Sequence, residues 1–293
     1  MAKSEYSGII GKLEMKKRGI KVVYWLLFSV MVLISAVCIF PPLWIMLSSL
    51  KDIKEFFTVP PTIIPQSFHP EKLWEAWNTL NFGRIYLNTI QYTAGVVVFT
   101  VIFNGLMGYF LSILKPKGSS LVMLLVLWTM LLPNTLGMVP VFKTIIDFPL
   151  LNLNFTNTYW PMWMMAGANA FVIIVFKSFF DGIPKALIEA ARIDGCSVVG
   201  IFFRIILPLS KPVIIAVTIL TITRAWEDFF WPYMVLKDES SWTVIVAIFN
   251  MKDIYPMDVQ FIALTFAIIP PAIIFIFFQK YIMYGFNLSG IKG

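Results

Sequence analysis

The residues able to do chemistry are gathered in one place. Between two long apolar stretches, segment 181–212 carries Lys185, Glu189, Arg192, Asp194, Arg204 and Lys211 among moderately apolar neighbours. Such a stretch is too polar to cross a bilayer, where each central charge costs about 3 kcal/mol. It is also too patterned for a loose linker. Pro184 suits the first turn of a helix, where its missing N–H costs nothing. Lys185 through Asp194 then form about three turns. Helical spacing places Leu187, Ala190, Ala191 and Asp194 on one small-residue face that a partner backbone can approach closely. Glu189 and Arg192 stand three apart and can pair. Gly195 permits the left-handed residue that closes a helix. Ser197 can cap a second helix, which Pro208 ends.

Elsewhere the chemistry is sparse. The one histidine, His69, argues against a multi-histidine metal site, and Cys38 and Cys196 make no disulfide framework. No Gly-x-x-x-x-Gly-Lys-[Ser/Thr] run occurs, so nucleotide chemistry must come from another chain. The polar side chains Asn88, Gln91, Asn104, Asn134 and Asn169 lie inside apolar stretches. They are candidates to line a polar path, although interhelical hydrogen bonding is the commoner use of such groups. Arg224, Glu227 and Asp228 fall near the end of a stretch, and Arg224 is expected to pair with one of the two acids. An intramembrane enzyme would need a Ser/His set, an Asp pair or a metal cluster within the spans. An ion-coupled secondary transporter would show internal repeats and mid-span acids. Neither pattern is present.

The elements that must position these residues follow from hydropathy. The chain has 293 residues, a mean hydropathy of +0.81, and 59% hydrophobic against 13% charged residues. A soluble domain carries nearly twice that charged share. About 20 apolar residues cross a bilayer as a helix. The expected spans are about 22–47, 88–114, 120–142, 159–180, 213–230 and 260–284. A tail, 1–21, precedes them and another, 285–293, follows; 231–259 is expected to be a polar loop with tryptophans. Six spans put both termini on one side. That side, with 115–118, 177–211 and Lys280 at the flank of the last span, holds 15 Lys+Arg and 5 Asp+Glu, while the opposite loops and their flanks hold 8 and 11. The excess of cations marks the cytoplasmic side. The fold class is therefore all-α, a polytopic membrane protein with six transmembrane helices, both termini and 181–212 being cytoplasmic.

Residues Glu189-Ala190-Ala191, then Gly195, Ile205 and Leu207-Pro208, form a spaced pattern. It resembles the cytoplasmic signature of permease subunits of ATP-binding-cassette importers. Ile193-Asp194-Gly195, Trp226-Glu227-Asp228-Phe229 with Trp231-Pro232, and Leu132-Pro133 with Val139-Pro140 are similar to the carbohydrate-uptake branch. Gly290-Ile291-Lys292-Gly293 resembles the end of the smaller permease subunit of the maltose importer. Ala186 and Cys196 depart from the usual acid and alanine. The resemblance implies that Glu189, Ala190, Ala191, Arg192, Asp194 and Gly195 belong to a coupling helix between the fourth and fifth spans, docking on an ATPase subunit. It implies that Gly290, Lys292 and Gly293 reach the ATPase dimer. The implied partners are a second permease subunit, two ATPase subunits that bind ATP and Mg, and an extracytoplasmic solute-binding protein. The chain itself would bind no cofactor and be no enzyme. The implied cargo is a sugar or oligosaccharide, uronate oligomers included, with a non-sugar solute as the alternative. The implied location is the bacterial inner membrane.

Overall fold

The computed structural model describes residues 18–149 and 152–287. Among the described residues there is no strand, only an isolated bridge between Phe148 and Leu153. The helices are α1 (Arg18–Ser48), α2 (Glu71–Thr79), α3 (Phe82–Leu114), α4 (Ser119–Leu131), α5 (Met138–Ile146), α6 (Trp160–Ala166), α7 (Ala170–Asp181), α8 (Lys185–Ile193), α9 (Val198–Leu209), α10 (Lys211–Glu227), α11 (Phe230–Val235), α12 (Val244–Met251) and α13 (Met257–Asn287). Among the described residues, α1, α3 and α13 are long and apolar enough to cross a membrane. Three bent pairs, α4 with α5, α6 with α7, and α9 with α10, raise the number to six if each pair is one span.

Local chemistry explains the breaks. Pro133 has no N–H to donate and disfavours a helical Leu132, so α4 stops at Leu131 and a 3-10 turn, Asn134–Gly137, intervenes before α5. Pro140 sits in the first turn of α5 and is tolerated there. Pro270 and Pro271 lie inside α13, and the helix continues through them. The α6–α7 pair bends by 41° at Gly167–Asn169. α3 is unbroken but widens into π-helical turns at Thr100–Asn104 and Phe110–Leu114.

Packing joins these helices through apolar faces. Gly95 and Gly108 let neighbours close on α3: a Cβ on Gly95 would fall 2.1 Å from the Trp163 ring, and one on Gly108 2.7 Å from the Cβ of Phe176. α1 differs. Its apolar length is uncovered and it meets the rest of the chain near its end, where Trp44 lies edge-on to Phe261 at 5.4 Å. A helix apolar all round is one that lipid or another chain surrounds.

The segment after the fifth span is not the polar loop expected. It contains α11 and α12, and Val244, Val246 and Ala247 are fully buried. The eight residues of α12 are apolar enough to be buried but too short to register as a span.

The loop between α1 and α3 is organised by a carboxylate. Buried Glu55 accepts hydrogen bonds from the N–H groups of Gln66 and Ser67, both at 2.9 Å, and from the Ser67 hydroxyl at 2.6 Å. Burial alone would raise its pKa, but these donors prevail and hold it at about 2, against an ordinary 4.5. A depressed acid contributes stability that is complete above its unfolded pKa and is lost as pH falls through the folded value. Protection of residues 55–67 from proteolysis is thus expected to decline between pH 4.5 and about 2. In the Glu55→Gln variant that pH dependence should shrink, leaving the smaller part due to Asp52 and Glu71. On the same side, Lys72 of α2 donates to Asp258 of α13 at 2.9 Å, tying the loop helix to the last span.

Candidate functional site

The charged segment is built as follows. Chain direction turns after α7 at Gly182–Ile183, and Pro184 stands just before α8 at φ −57°, ψ 123°. Proline is thus the entry residue, one position earlier than the first helical turn. α8 buries Ile188 and Ala191; of the face expected to meet a partner, Leu187, Ala190 and Asp194 are exposed and Ala191 alone is buried. The reason is Ile188, whose branched side chain fills the core shared with Phe180, Ile183, Ile201 and Phe202. Burying it rotates Leu187, Ala190 and Asp194 outward. Leu187 is 46% and Ile193 86% exposed, and Ala186, Glu189 and Arg192 are exposed beside them. Glu189 and Arg192 do not pair: neither side chain has an ion-pair partner among the described residues.

The end of α8 follows the expected chemistry. Gly195 is left-handed at φ +76°. Its N–H donates to the Arg192 carbonyl at 3.1 Å, and the Cys196 N–H donates to the Ala191 carbonyl at 2.9 Å. This is the paired Schellman closure, which places a residue without Cβ at the left-handed position. Replacing Gly195 with valine is expected to cost about 1–2 kcal/mol locally and fray the last turn of α8, which amide exchange of residues 191–196 would detect. The Ser197 hydroxyl caps α9 by accepting the Gly200 N–H at 3.1 Å. Pro208 lies within the last turn of α9 instead of ending it, and a 75° bend at Ser210 leads into α10.

Beneath its exposed face the element is fastened to three helices. Ile188, Ala191, Ile201, Phe202 and Ile206 share one buried cluster with Tyr109 of α3, Phe176 of α7, and Val213 and Val217 of α10. Tyr109 donates its hydroxyl to the Val198 carbonyl at 3.0 Å. Ser112 donates to Asp181 Oδ1 at 2.7 Å, and Lys177 donates to Asp181 Oδ2 at 2.6 Å. Tyr109, Ser112 and Asp181 were not singled out by sequence reasoning; the i, i+4 spacing of Lys177 and Asp181 was the one visible signal.

The polar groups within the spans divide. Asn104 and Asn169 come together. Buried Asn104 donates to the carbonyls of Thr100 at 2.8 Å and Ala166 at 2.9 Å, and its Oδ1 accepts the Asn169 N–H at 2.8 Å. Asn169 in turn caps α7 by accepting the Val172 N–H at 3.1 Å. The pair satisfies the backbone freed at the α6–α7 break, as buried irregular backbone requires. Asn88 is apart from them and donates to the Ser240 and Trp242 carbonyls at 2.9 and 3.1 Å. Gln91 is exposed, with no side-chain partner among the described residues. Asn134 opens the 3-10 turn of the third span. The expected pairing of Arg224 with Glu227 or Asp228 does not occur. Arg224 lies 5.9 Å over the Phe171 ring, while Asp228 accepts the Tyr92 hydroxyl at 2.5 Å. Gly290, Lys292 and Gly293 lie outside the described residues. Among the described residues no cluster of potential ligands could hold a metal ion.

Apolar helices long enough to cross a membrane, several of them in bent pairs, make this a polytopic membrane protein. The chain belongs to the binding-protein-dependent transport system inner membrane components, a family it matches over residues 19–283. It is similar to the arabinooligosaccharides transport system permease protein AraQ of Halalkalibacterium halodurans, with 31% identity covering 95% of this chain and 100% of that one. It is also similar to the polygalacturonan/rhamnogalacturonan transport system permease protein YtcP of Bacillus subtilis, with 27% identity covering 92% and 97%. Its fold is shared with a chain of a bacterial ABC transporter involved in the import of the acidic polysaccharide alginate. There the TM-score is 0.80 at 24% identity, covering 90% of this chain and 98% of that one.

Proposed function

We propose that this chain is the transmembrane permease subunit of an ATP-binding-cassette importer for a sugar or oligosaccharide. The observation that carries the reading is α8: an exposed face with Glu189, unpaired among the described residues, and exposed Leu187 and Ile193, on a helix fastened underneath to α3, α7 and α10. Such a helix can accept force from a partner and pass it to the spans. Glu189, Ala190, Arg192, Asp194 and Gly195 form the surface that meets an ATPase subunit, and Ala191 anchors it from below. Gly290, Lys292 and Gly293 contact the ATPase pair. ATP and Mg bind to those partners, and this chain performs no chemistry itself. A second permease completes the path, and an extracytoplasmic binding protein delivers the cargo. The distribution of lysine and arginine supports a cytoplasmic location for both termini and α8.

Oligosaccharide cargo is supported by relatives over nearly the whole chain, and the likeness to the polygalacturonan system supports a uronate oligomer. Asn88, Asn104 and Asn169 shape the path by holding its helices, and Gln91 and Asn134 remain candidates to line it. The test is competition for uptake in cells carrying the complete system, using labelled oligogalacturonate, neutral oligosaccharides and amino acids or peptides. Saturable uptake of an oligosaccharide is the expected result. Uptake of only amino acids or peptides would overturn the sugar assignment while leaving the permease assignment intact.

A further inference from the structure

The two ends of the coupling element are held by one face of one helix. Tyr109 and Ser112 are three residues apart near the end of α3, so their side chains leave the same face. Ser112, itself buried, donates to Asp181, the last residue before the turn into α8. Tyr109, also buried, donates to the carbonyl of Val198, the first helical residue after the α8 closure. Lys177 holds the other Asp181 oxygen, and Lys115 approaches Oδ1 at 4.0 Å. Between the two joints lie Ile183, Ile188 and Ala191, all buried. α8 is therefore bracketed before and after by α3, not by its immediate chain neighbours alone.

Resting on the permease reading above, we infer that Tyr109 and Ser112 form a two-point clamp that makes the end of α3 move as one body with the coupling helix. Both are positioning residues. They touch neither nucleotide nor cargo, and their effect is on how much α8 displacement reaches the spans.

The test uses the assembled complex in vesicles, measuring ATP hydrolysed and solute taken up in the same preparation. The Tyr109→Phe/Ser112→Ala double variant removes both hydroxyls and leaves the apolar cluster filled. ATP hydrolysed per solute should rise about fivefold or more, the low end of ordinary site-to-site coupling. Ser112→Thr, which keeps a hydroxyl, should restore most of the ratio when placed beside Tyr109→Phe. A merely structural role would lower hydrolysis and uptake together, and an unchanged ratio would overturn the clamp. A second variant replaces the Ser112–Asp181 hydrogen bond by a covalent link. With Cys38 and Cys196 replaced by serine, Ser112→Cys/Asp181→Cys joins the clamp by a disulfide. A clamp that stays closed through the cycle predicts that the oxidised protein still transports; arrest on oxidation, reversed by reductant, would overturn it. The unmodified complex is measured alongside. If it shows no ATP-dependent uptake, the permease reading fails, whereas an active parent with an unaltered ratio in the variant sinks only the clamp.

Discussion

Reversing one charge, Glu189→Lys, is expected to lower ATP-driven uptake by about thirtyfold or more while leaving the fold of the chain intact. Glu189 is exposed and has no ion pair or side-chain hydrogen bond among the described residues. An exposed substitution of this kind changes stability by only about 0.5 kcal/mol. At an interface the account changes. Removing or reversing one member of a hydrogen-bonded charge pair costs about 2–5 kcal/mol, and 2 kcal/mol is already near thirtyfold. The neighbouring Leu187 and Ile193 supply apolar contact, so the acid sits beside surface that a partner would dehydrate. Uptake in vesicles, read together with thermal unfolding of the purified chain, separates the two effects. Unchanged uptake would remove Glu189 from the coupling surface. Lost uptake with an equally large loss of melting temperature would make it a structural residue.

The second large effect is expected at Gly108, and it concerns the fold itself. A Cβ there would lie 2.7 Å from the Phe176 Cβ and 3.1 Å from the Lys177 backbone nitrogen. Neither atom is the tip of a flexible side chain, so α3 and α7 must separate to admit even a methyl group. Overpacking of this kind costs about 1–3 kcal/mol, and Gly108→Leu should exceed Gly108→Ala. The same helix offers its own control. A Cβ on Gly105 would meet nothing within 4 Å, so Gly105→Ala should be tolerated. Thermal melts of the three variants in detergent would test this. Equal melting temperatures for Gly108→Ala and the parent would show that the two helices are not packed as closely as described.

Hydropathy made the long helices legible, because a bilayer demands length and apolarity together. It could not reveal α12, which is buried but short, or the π-helical turns of α3, which have no hydropathy signature. The α8 element was readable in outline because Gly195 and Ser197 act locally, through a left-handed φ and a hydroxyl cap. What fastens it was not. Ile188 and Ala191 are buried against Phe180, Ile201 and Phe202, which lie outside the helix, while Leu187, Ala190 and Asp194 stay exposed, where a partner can reach them. Polar groups were the least legible. Asn104, Asn169 and Asn88 turn out to satisfy backbone carbonyls and N–H groups at breaks and loops. Glu55 is held by backbone donors at 66–67 that no side-chain pattern announces. Arg224 was expected to seek an acid and instead rests over Phe171.

The central claim is that movement of α8, driven by a partner that binds ATP, opens the path through this chain. Its most direct test is solute uptake into vesicles holding the permease pair and its ATPase subunits, with the binding protein supplied on the opposite side. The account predicts uptake that requires both ATP and the binding protein and that stops with a non-hydrolysable nucleotide. Uptake driven by an imposed proton or sodium gradient without nucleotide would contradict it.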